Sequence, residues 1–375
     1  MTTLKPPVVV VGMSGGVDSS TSALLLKQQG FEVIGVYLHF WYEASPAERR
    51  AMSEERCCSI EGQADARRVA RQIGIPFYTL NFSDAFKTHV VDYFVSGYRD
   101  GTTPNPCIQC NKKIKFGLFW EKARNIFHAD YIATGHYAQV EARQSSDGND
   151  GPEKYILKKG HDLHKDQSYF IYHLDQKILS HVLFPIGHLT KPEVRAIAEK
   201  NNLIVAKKGE SQGLCFLREN KHQGFLLRNI PEMQTSGEVI DETGNILGTH
   251  QGLSLYTIGQ RQGIQIGGNG PYYVVARDFG ANTLIVTNDR SNKKISSRFA
   301  EINDVRWTHS EPNSTDMYEV RIRHGHVPAP ARITHTDGIW KIEFQEAQRA
   351  ITIGQSAVLY RRDHVIGGGI IVGTL

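Results

Sequence analysis

Residues 8–20, Val-Val-Val-Val-Gly-Met-Ser-Gly-Gly-Val-Asp-Ser-Ser, run from a β-branched stretch through a glycine-rich turn into a helical pattern. Backbone N–H groups and hydroxyls then converge on the positive end of a helix, which is an anion site. Gly12, Gly15 and Gly16 permit close backbone approach, Met13 and Val17 complete the turn, and Ser14 and Ser19 are donors for phosphate oxygens. Asp18 is placed to hold a Mg²⁺ bridging those oxygens. No lysine ends the loop, so it is not the Walker-type cradle, and the dinucleotide fingerprint is absent too. A ligand-free strand-to-helix turn is the bland alternative, but Gly-Gly followed by Asp-Ser-Ser sacrifices helix propensity for no structural return.

A second chemical signal lies in residues 103–113, Thr-Pro-Asn-Pro-Cys-Ile-Gln-Cys-Asn-Lys-Lys. Cys107 and Cys110 stand behind two prolines that fix the approach and ahead of a lysine-rich helix, a setting in which low-pKa thiolates are expected. Cys215 lies in a glycine-bearing loop, 209–216, able to swing toward Cys110, whereas Cys57 and Cys58 read as core filling. There is no second CxxC to build a four-thiolate zinc knuckle. The pair therefore points to redox, sulfur or metal chemistry.

The elements that must position these residues alternate in type. Strands are expected over 8–11, 32–38, 76–80 and 131–134, with helices over 19–29, ended by Gly30, and 61–73. That is the pattern of a doubly wound parallel α/β sheet. The polar stretch 145–151 joins two strands or marks an insertion, and the α/β pattern resumes at 190–201, where Thr190 is the N-cap and Pro192 follows early. Beyond residue 218 helices almost vanish, and alternating segments at 272–277, 283–287, 332–334, 340–344 and 357–360 have the spacing of small barrels. The expected division is an α/β domain over 1–218, a small β-rich domain over 219–290 and a C-terminal β-barrel over 291–375.

Composition bounds the rest. The 375 residues suggest two or three domains at roughly 150 residues each. With 40% hydrophobic and 22% charged residues, 35 Gly and 14 Pro, the chain is neither disordered, collagen-like nor coiled coil. A net charge of +4 permits a local nucleic-acid face without arguing for one. Five cysteines with no leader before them, a run at 8–13 too short for a signal peptide, and no window of membrane-spanning length point to a reduced, cytoplasmic protein with no membrane partner.

The segment Ser14-Gly15-Gly16-Val17-Asp18-Ser19 resembles the SGGxDS signature of the ATP pyrophosphatases. Those enzymes cleave ATP to AMP and pyrophosphate while adenylating a carbonyl-type oxygen, and such a loop grips the β- and γ-phosphates. Five motifs taken in order resemble the tRNA-specific 2-thiouridylases: SGGVDSS, TPNPxxxCNKxIKF at 103–116, ATGHYA at 133–138, KDQSYF at 165–170 and SQGLCF at 211–216. With the Gly-Gly-Gly at 367–369, the match spans nearly the whole chain.

What the resemblance implies is ATP-dependent adenylation of O2 of a tRNA wobble uridine, after which persulfide sulfur displaces AMP to leave 2-thiouridine. By motif position Cys110 is the nucleophile and Cys215 carries a persulfide received from a sulfur-donor protein, and the two close a disulfide in turnover. Asn105, Pro106 and Cys107 sit against the flipped target base, Leu38 packs on adenine, and Gly135 meets the adenosine. His136, Lys165, Asp166, Gln167, Arg321, Arg323, Gln355, Arg361 and Arg362 contact tRNA. A satisfied strand-end histidine is the alternative for His136, and a solvated turn for residues 165–167.

One position departs from the family. Asp is commoner where this chain has Cys107, and a thiol is a poorer base than that carboxylate. Either Cys107 is a tolerated variant beside a Cys110–Cys215 persulfide relay, or Cys107, Cys110 and Cys215 hold three corners of a [4Fe–4S] cluster whose open iron carries the sulfur. Two rival functions stay in view. An amidating ligase of the same ATP-consuming fold would need an ammonia source that is not visible, and a noncatalytic RNA-binding or sulfur-carrier protein has no use for SGGVDS.

Overall fold

The computed structural model describes residues 5–43, 60–143, 154–210, 213–217, 222–230, 235–264, 266–267 and 271–374. Cys57 and Cys58 lie outside the described residues. Strands β1 (Val8–Gly12), β2 (Glu32–His39), β3 (Phe77–Asn81), β4 (Tyr131–Ala133) and β7 (Val182–Leu183) form one sheet in the order β3-β2-β1-β4-β7. Every pairing in it is parallel. Order reverses on either side of β1, so a crevice opens at the carboxyl ends of β1 and β4, where ligands of such sheets bind.

Helices α1 (Val17–Gln28), α2 (Ile60–Ile73) and α4 (Lys191–Lys200) belong to this domain, and α3 (106–127) lies between them in sequence. One apolar cluster, with Val9, Val11 and Val33, joins the sheet to α1, α2 and α4 through Leu24, Leu26, Val69, Ala70, Val194 and Ala198. Val8 and Val10 face the opposite way, toward Ile114, Phe116 and Phe119 of α3. The continuous β-branched run of β1 is thus explained by burial on both faces.

In the α/β domain the strand and helix expectations hold in type, with ends displaced by at most two residues, whereas the barrel strands expected over 332–334 and 340–344 extend to Ala329–Thr336 and Ile339–Arg349. The displacement matters at α1, which starts at Val17 rather than residue 19 and so brings Asp18 and Ser19 into its first turn. At α4, the Glu193 carboxylate accepts from both the N–H and the hydroxyl of Thr190, at 2.7 Å each, as a capping residue should arrange.

The stretch 145–151 falls outside the described residues, but β5 (Ala138–Arg143) and β6 (Lys154–Lys159) on either side pair antiparallel, so the stretch joins two strands. Next come β8 (Gly237–Asp241), β9 (Ile246–His250), β10 (Tyr273–Asp278) and β11 (Thr283–Thr287), forming a mixed sheet in the order β10-β11-β8-β9. Then β12 (Ser296–Trp307), β13 (Tyr318–Arg321), β14 (Ala329–Thr336), β15 (Ile339–Arg349), β16 (Ser356–Arg361) and β17 (His364–Gly373) run β12-β15-β14-β13-β16-β17 and close through β12 to β17. Closure explains Gly367 to Gly369. A Cβ on Gly368 would stand 2.3 Å from the Ala357 carbonyl and one on Gly369 2.6 Å from that of Asn303, so only glycine lets β17 pass between two neighbours.

The barrel does not stand apart. His364 of β17 pairs with Lys158 of β6, so the hairpin of the α/β domain extends the barrel sheet. Beneath that seam Asp166 is fully buried, its carboxylate accepting from Gly160 N, Ser168 N, Ser168 Oγ and Arg321 Nη1 at 2.9–3.1 Å. Asp166→Ala should cost about 3–5 kcal/mol, because it strands the Arg321 charge. Chemical denaturation followed by tryptophan fluorescence checks this, and a loss under about 1 kcal/mol would mark the pair as dispensable.

Candidate active site

Gly16 is the N-cap of α1 and offers no side-chain oxygen, so the first-turn N–H groups of the helix have no internal acceptor from a cap. The turn before it is prearranged. Ser19 Oγ accepts from Ser14 N at 3.2 Å, lies 3.3 Å from Ser14 Oγ, and donates to the Gly16 carbonyl. Gly15 has φ +77°, and a Cβ there would meet the Gly62 carbonyl of α2 at 2.1 Å. Gly135, at the end of β4, approaches so closely that a Cβ would lie 2.7 Å from Ser19 N. Leu38 Cδ1 stands over Gly12, 3.3 Å from where its Cβ would be. These are the features of a polyphosphate cradle with an apolar shelf beside it.

Asp18 does not face an open metal position. Both of its carboxylate oxygens accept from Lys191 Nζ, at 2.7 and 2.8 Å, and Oδ1 also accepts from Tyr137 OH at 2.9 Å. No group of three His, Cys, Asp or Glu side chains among the described residues could hold a metal. In this structure the cation at the Asp18 carboxylate is Lys191. No local signal marks this partner, since Lys191 lies 173 residues away and stands out only as the start of α4.

Lys191 Nζ is also 3.4 Å from Glu210 Oε1, and Lys165 Nζ lies 2.8 Å from Glu210 Oε2. First Lys165, then Lys191, hold the Glu210 carboxyl below its usual range against partial burial. This link is complete at neutral pH and is lost only as pH falls through that depressed value. It ties the phosphate loop to the segment that carries Cys215, whose anchor is Phe216, buried against Phe86, Phe94 and Phe225.

Asn105 caps α3, its Oδ1 accepting from Cys107 N at 3.2 Å and Ile108 N at 3.3 Å, with Pro106 at the first position. The helix is α-helical over Pro106–Gln109, widens to a π-helix over Cys110–Leu118, and returns to α over Phe119–Phe127. Such widening is rare and marks functional helices. In a π-turn residue i+5 succeeds residue i, so Lys115 follows Cys110 on one face. Lys115 is near enough to act on Cys107, Cys110 and His136 alike.

The thiols are not the acidic pair the flanking lysines suggested. Burial raises both, Cys110 to about 11, and the pull of Lys115 does not reverse it. A dry pocket penalises an anion more than one nearby ammonium repays. Alkylation of Cys110 by iodoacetamide should therefore rise close to tenfold per pH unit from pH 7 to 10, while exposed Cys215 reacts readily at pH 8. Peptide mapping by mass spectrometry checks it, and a Cys110 plateau below pH 8 would contradict this setting.

His136 is buried between Phe116 and Phe184, with Nδ1 2.6 Å from Thr134 Oγ1. Burial, then Lys115 and His173, push it well below its ordinary value, so it is a neutral hydrogen-bonding group and no cation for phosphate. Gly135 abuts Ser19, Phe116 of α3 packs on His136, and Phe119 Cε1 stands 3.6 Å from where a Cβ on Gly12 would be, so the helix that carries Cys110 packs beside the cradle.

Three family models match in succession: a tRNA methyl transferase HUP domain over 7–219, a tRNA methyl transferase PRC-barrel domain over 223–288 and an aminomethyltransferase beta-barrel domain over 297–371. The tRNA-specific 2-thiouridylase MnmA 2 of Clostridium tetani is 44% identical over 368 residues, covering 97% of this chain and 98% of its own. The chain belongs to the tRNA-specific 2-thiouridylase family. Relatives in Clostridium botulinum strain Hall, 45% identical over 97% of this chain and 98% of theirs, and in Clostridioides difficile, 44% identical over 98% of each, carry the same family name.

Several residues that the family resemblance assigned to tRNA have internal partners. Asp166 is the buried strut beneath the barrel, with its carboxylate on Arg321. Gln167 Oε1 accepts from Tyr137 N, Lys165 is held by Glu210, and Gln355 Nε2 donates to the Thr103 carbonyl at 2.8 Å. Arg321 is spent on Asp166 and lies over the Tyr360 ring, and Arg323 Nη1 donates to the Arg349 carbonyl. Arg361 pairs with Asp316, and Arg362 is exposed. Tyr137, Lys115 and Lys191 are the site residues that sequence reasoning missed. Only the ATGHYA and CNKxIKF motifs, which contain Tyr137 and Lys115, offered a signal.

Proposed function

We propose that this chain catalyses ATP-dependent 2-thiolation of the wobble uridine of tRNA. The single observation that carries the reading is an uncapped phosphate cradle, Gly12 to Ser19, with the helix that bears the buried thiol of Cys110 packed beside it through Phe119 on Gly12 and Phe116 on His136. The domain over 1–218 holds both, and the two β-rich parts, 219–290 and 291–375, complete the tRNA surface.

A uracil carbonyl is a poor electrophile, and adenylation turns O2 into a leaving group. O2 attacks the α-phosphate of ATP and pyrophosphate departs against the cradle, where the α1 N-terminus and Lys191 neutralise it. The terminal sulfur of a persulfide on Cys215 attacks C2, and AMP leaves with O2. Cys110 then attacks the Cys215 sulfur; the S–S bond breaks, 2-thiouridine is released, and a Cys110–Cys215 disulfide forms that an external thiol must reduce. Lys115 favours the thiolate this step requires, and the exposure of Cys215 suits loading by a sulfur-donor protein.

Cys107, Cys110 and Cys215 do not gather as a metal-holding group, which favours the relay over a three-thiolate cluster. Iron and sulfide analysis after anaerobic purification tests the choice: stoichiometric iron lost in Cys107→Ala would overturn the relay. Magnesium would arrive with the triphosphate, on phosphate and water oxygens. No helix of the described residues is long and apolar enough to cross a membrane, and a reduced, cytoplasmic setting suits chemistry that depends on open thiols.

Incubating the chain with tRNA, ATP and a persulfide donor should yield a new 2-thiouridine peak on nucleoside mass spectrometry. No peak and no tRNA-dependent pyrophosphate release would overturn the proposal. Binding to tRNA should weaken steeply with salt, and Arg361 and Arg362, each changed to Ala, should together lower the log-log slope by about 1–2.

A further inference from the structure

The segment that leads to Cys107 has few bonds of its own: Thr102 N and Oγ1 donate to the Gly97 carbonyl at 2.8 and 2.9 Å, and Asn105 caps the helix that follows. Pro104 and Pro106 have no N–H, so between Thr103 and the start of α3 only Asn105 has a backbone donor, and no strand or helix fixes residues 102–105. Its position is set from outside, by both β-rich domains at once. Thr103 N donates to the Ile353 carbonyl at 2.9 Å, and Gln355 Nε2 donates to the Thr103 carbonyl at 2.8 Å. Thr103 Oγ1 lies 3.1 Å from Thr257 Oγ1 of the central domain. Two residues upstream, Arg277 Nη2 donates to the Gly101 carbonyl at 2.7 Å.

The barrel side of this clamp is built for contact. Gly354 has φ +92°, and a Cβ there would lie 2.9 Å from Thr103 N and C, so the two backbones touch with no side chain between them. The barrel loop is fixed in turn, with Gly354 N donating to the Ile371 carbonyl and Ile371 N to the Gln355 carbonyl, at 2.9 and 2.8 Å, which ties it to β17. From the other side, Gly97 leaves room for the Pro104 ring, whose Cγ would lie 2.6 Å from a Cβ at that position. Lys112 of α3 also pairs with Asp304 of β12.

We infer that Gln355, with Ile353, Gly354 and Thr257, is a positioning element for the target-base segment. Gln355 acts on sulfur transfer through Thr103. The inference rests on the thiolation reading and extends it: the barrel that meets tRNA also sets where Asn105, Pro106 and Cys107 stand. Displacing a reacting partner by about 1 Å costs on the order of 10²-fold in rate.

The test uses the full chain and two substitutions from different domains. Gln355→Met keeps length and loses the donor, and Thr257→Val keeps shape and loses the hydroxyl. For Gln355→Met, single-turnover thiolation at saturating tRNA should fall about tenfold or more. Thr257→Val should slow the same step severalfold. In both, hydrogen exchange of the amides of Thr103, Asn105, Cys107 and Ile108 should speed up without tRNA present. A Gln355→Met variant whose Kd rises tenfold while the saturated rate is unchanged is a tRNA contact, and that result overturns the inference. Unchanged exchange at Thr103 overturns it too. Exchange is read without substrate, so an inactive wild type with a loosened 103–108 segment in the variants condemns the thiolation reading, and the catalytic role drawn from it, while leaving the clamp itself visible.

Discussion

Cys110→Ser is expected to abolish thiolation, by at least about 10³-fold, while leaving ATP cleavage running. The two halves of the reaction rest on different elements. Adenylation depends on the cradle at the N-terminus of α1, and Cys110 is on α3. Serine is nearly isosteric and Cys110 is buried, so the core around it should survive. What is lost is a sulfur able to attack another sulfur. The variant should still release pyrophosphate when tRNA is present and should accumulate adenylated tRNA or its hydrolysis product. Pyrophosphate release measured beside nucleoside mass spectrometry separates the halves. Thiolation retained within tenfold of wild type would remove Cys110 from the chemistry, and loss of both activities would place it in binding.

Lys191→Met should reverse that pattern, with pyrophosphate release falling about 10²–10³-fold and tRNA binding intact. The ammonium is almost fully withdrawn from water and meets Asp18 at 2.7 Å and Glu210 at 3.4 Å, beside the helix end that would receive the triphosphate. Its removal leaves Asp18 with Tyr137 OH as its remaining partner and puts a carboxylate's charge next to incoming phosphates, so binding and leaving-group stabilisation fail together. Arginine should not restore full rate, because a planar fork does not fill the place of a compact ammonium. If the cation's role is toward phosphate, Asp18→Asn in the Lys191→Met background should recover part of the loss, an interaction that a double-mutant cycle measures. Release within threefold of wild type in Lys191→Met would show the pair to be structural.

Much of the site was legible because it is local. The phosphate turn needs a strand, glycines at fixed steps and a helix start, and all lie within 8–20; the N-cap at Asn105 with Pro106 behind it is likewise a matter of adjacent residues. Charge was misjudged where it depends on what surrounds a group. Lysines at 112, 113 and 115 read as an acidifying field for Cys110, yet a thiol in a dry core responds first to the loss of water, and no count of neighbouring lysines reports burial. The KDQSYF run shows the same dependence: the polar triplet gives no sign in sequence that a barrel docks over Asp166.

The sequence by itself determined the order of strands and helices, the phosphate turn, the spacing of Cys107 and Cys110, and the family to which these motifs belong, because each is written within a few turns of chain. Only the tertiary structure decided that Lys191 meets Asp18, that Asp166 supports the barrel, and that Thr103 is held by residues 154 and 252 positions away. Those partners are joined by folding and not by sequence, and burial, which sets the worth of every charge among them, exists only after the chain has closed on itself.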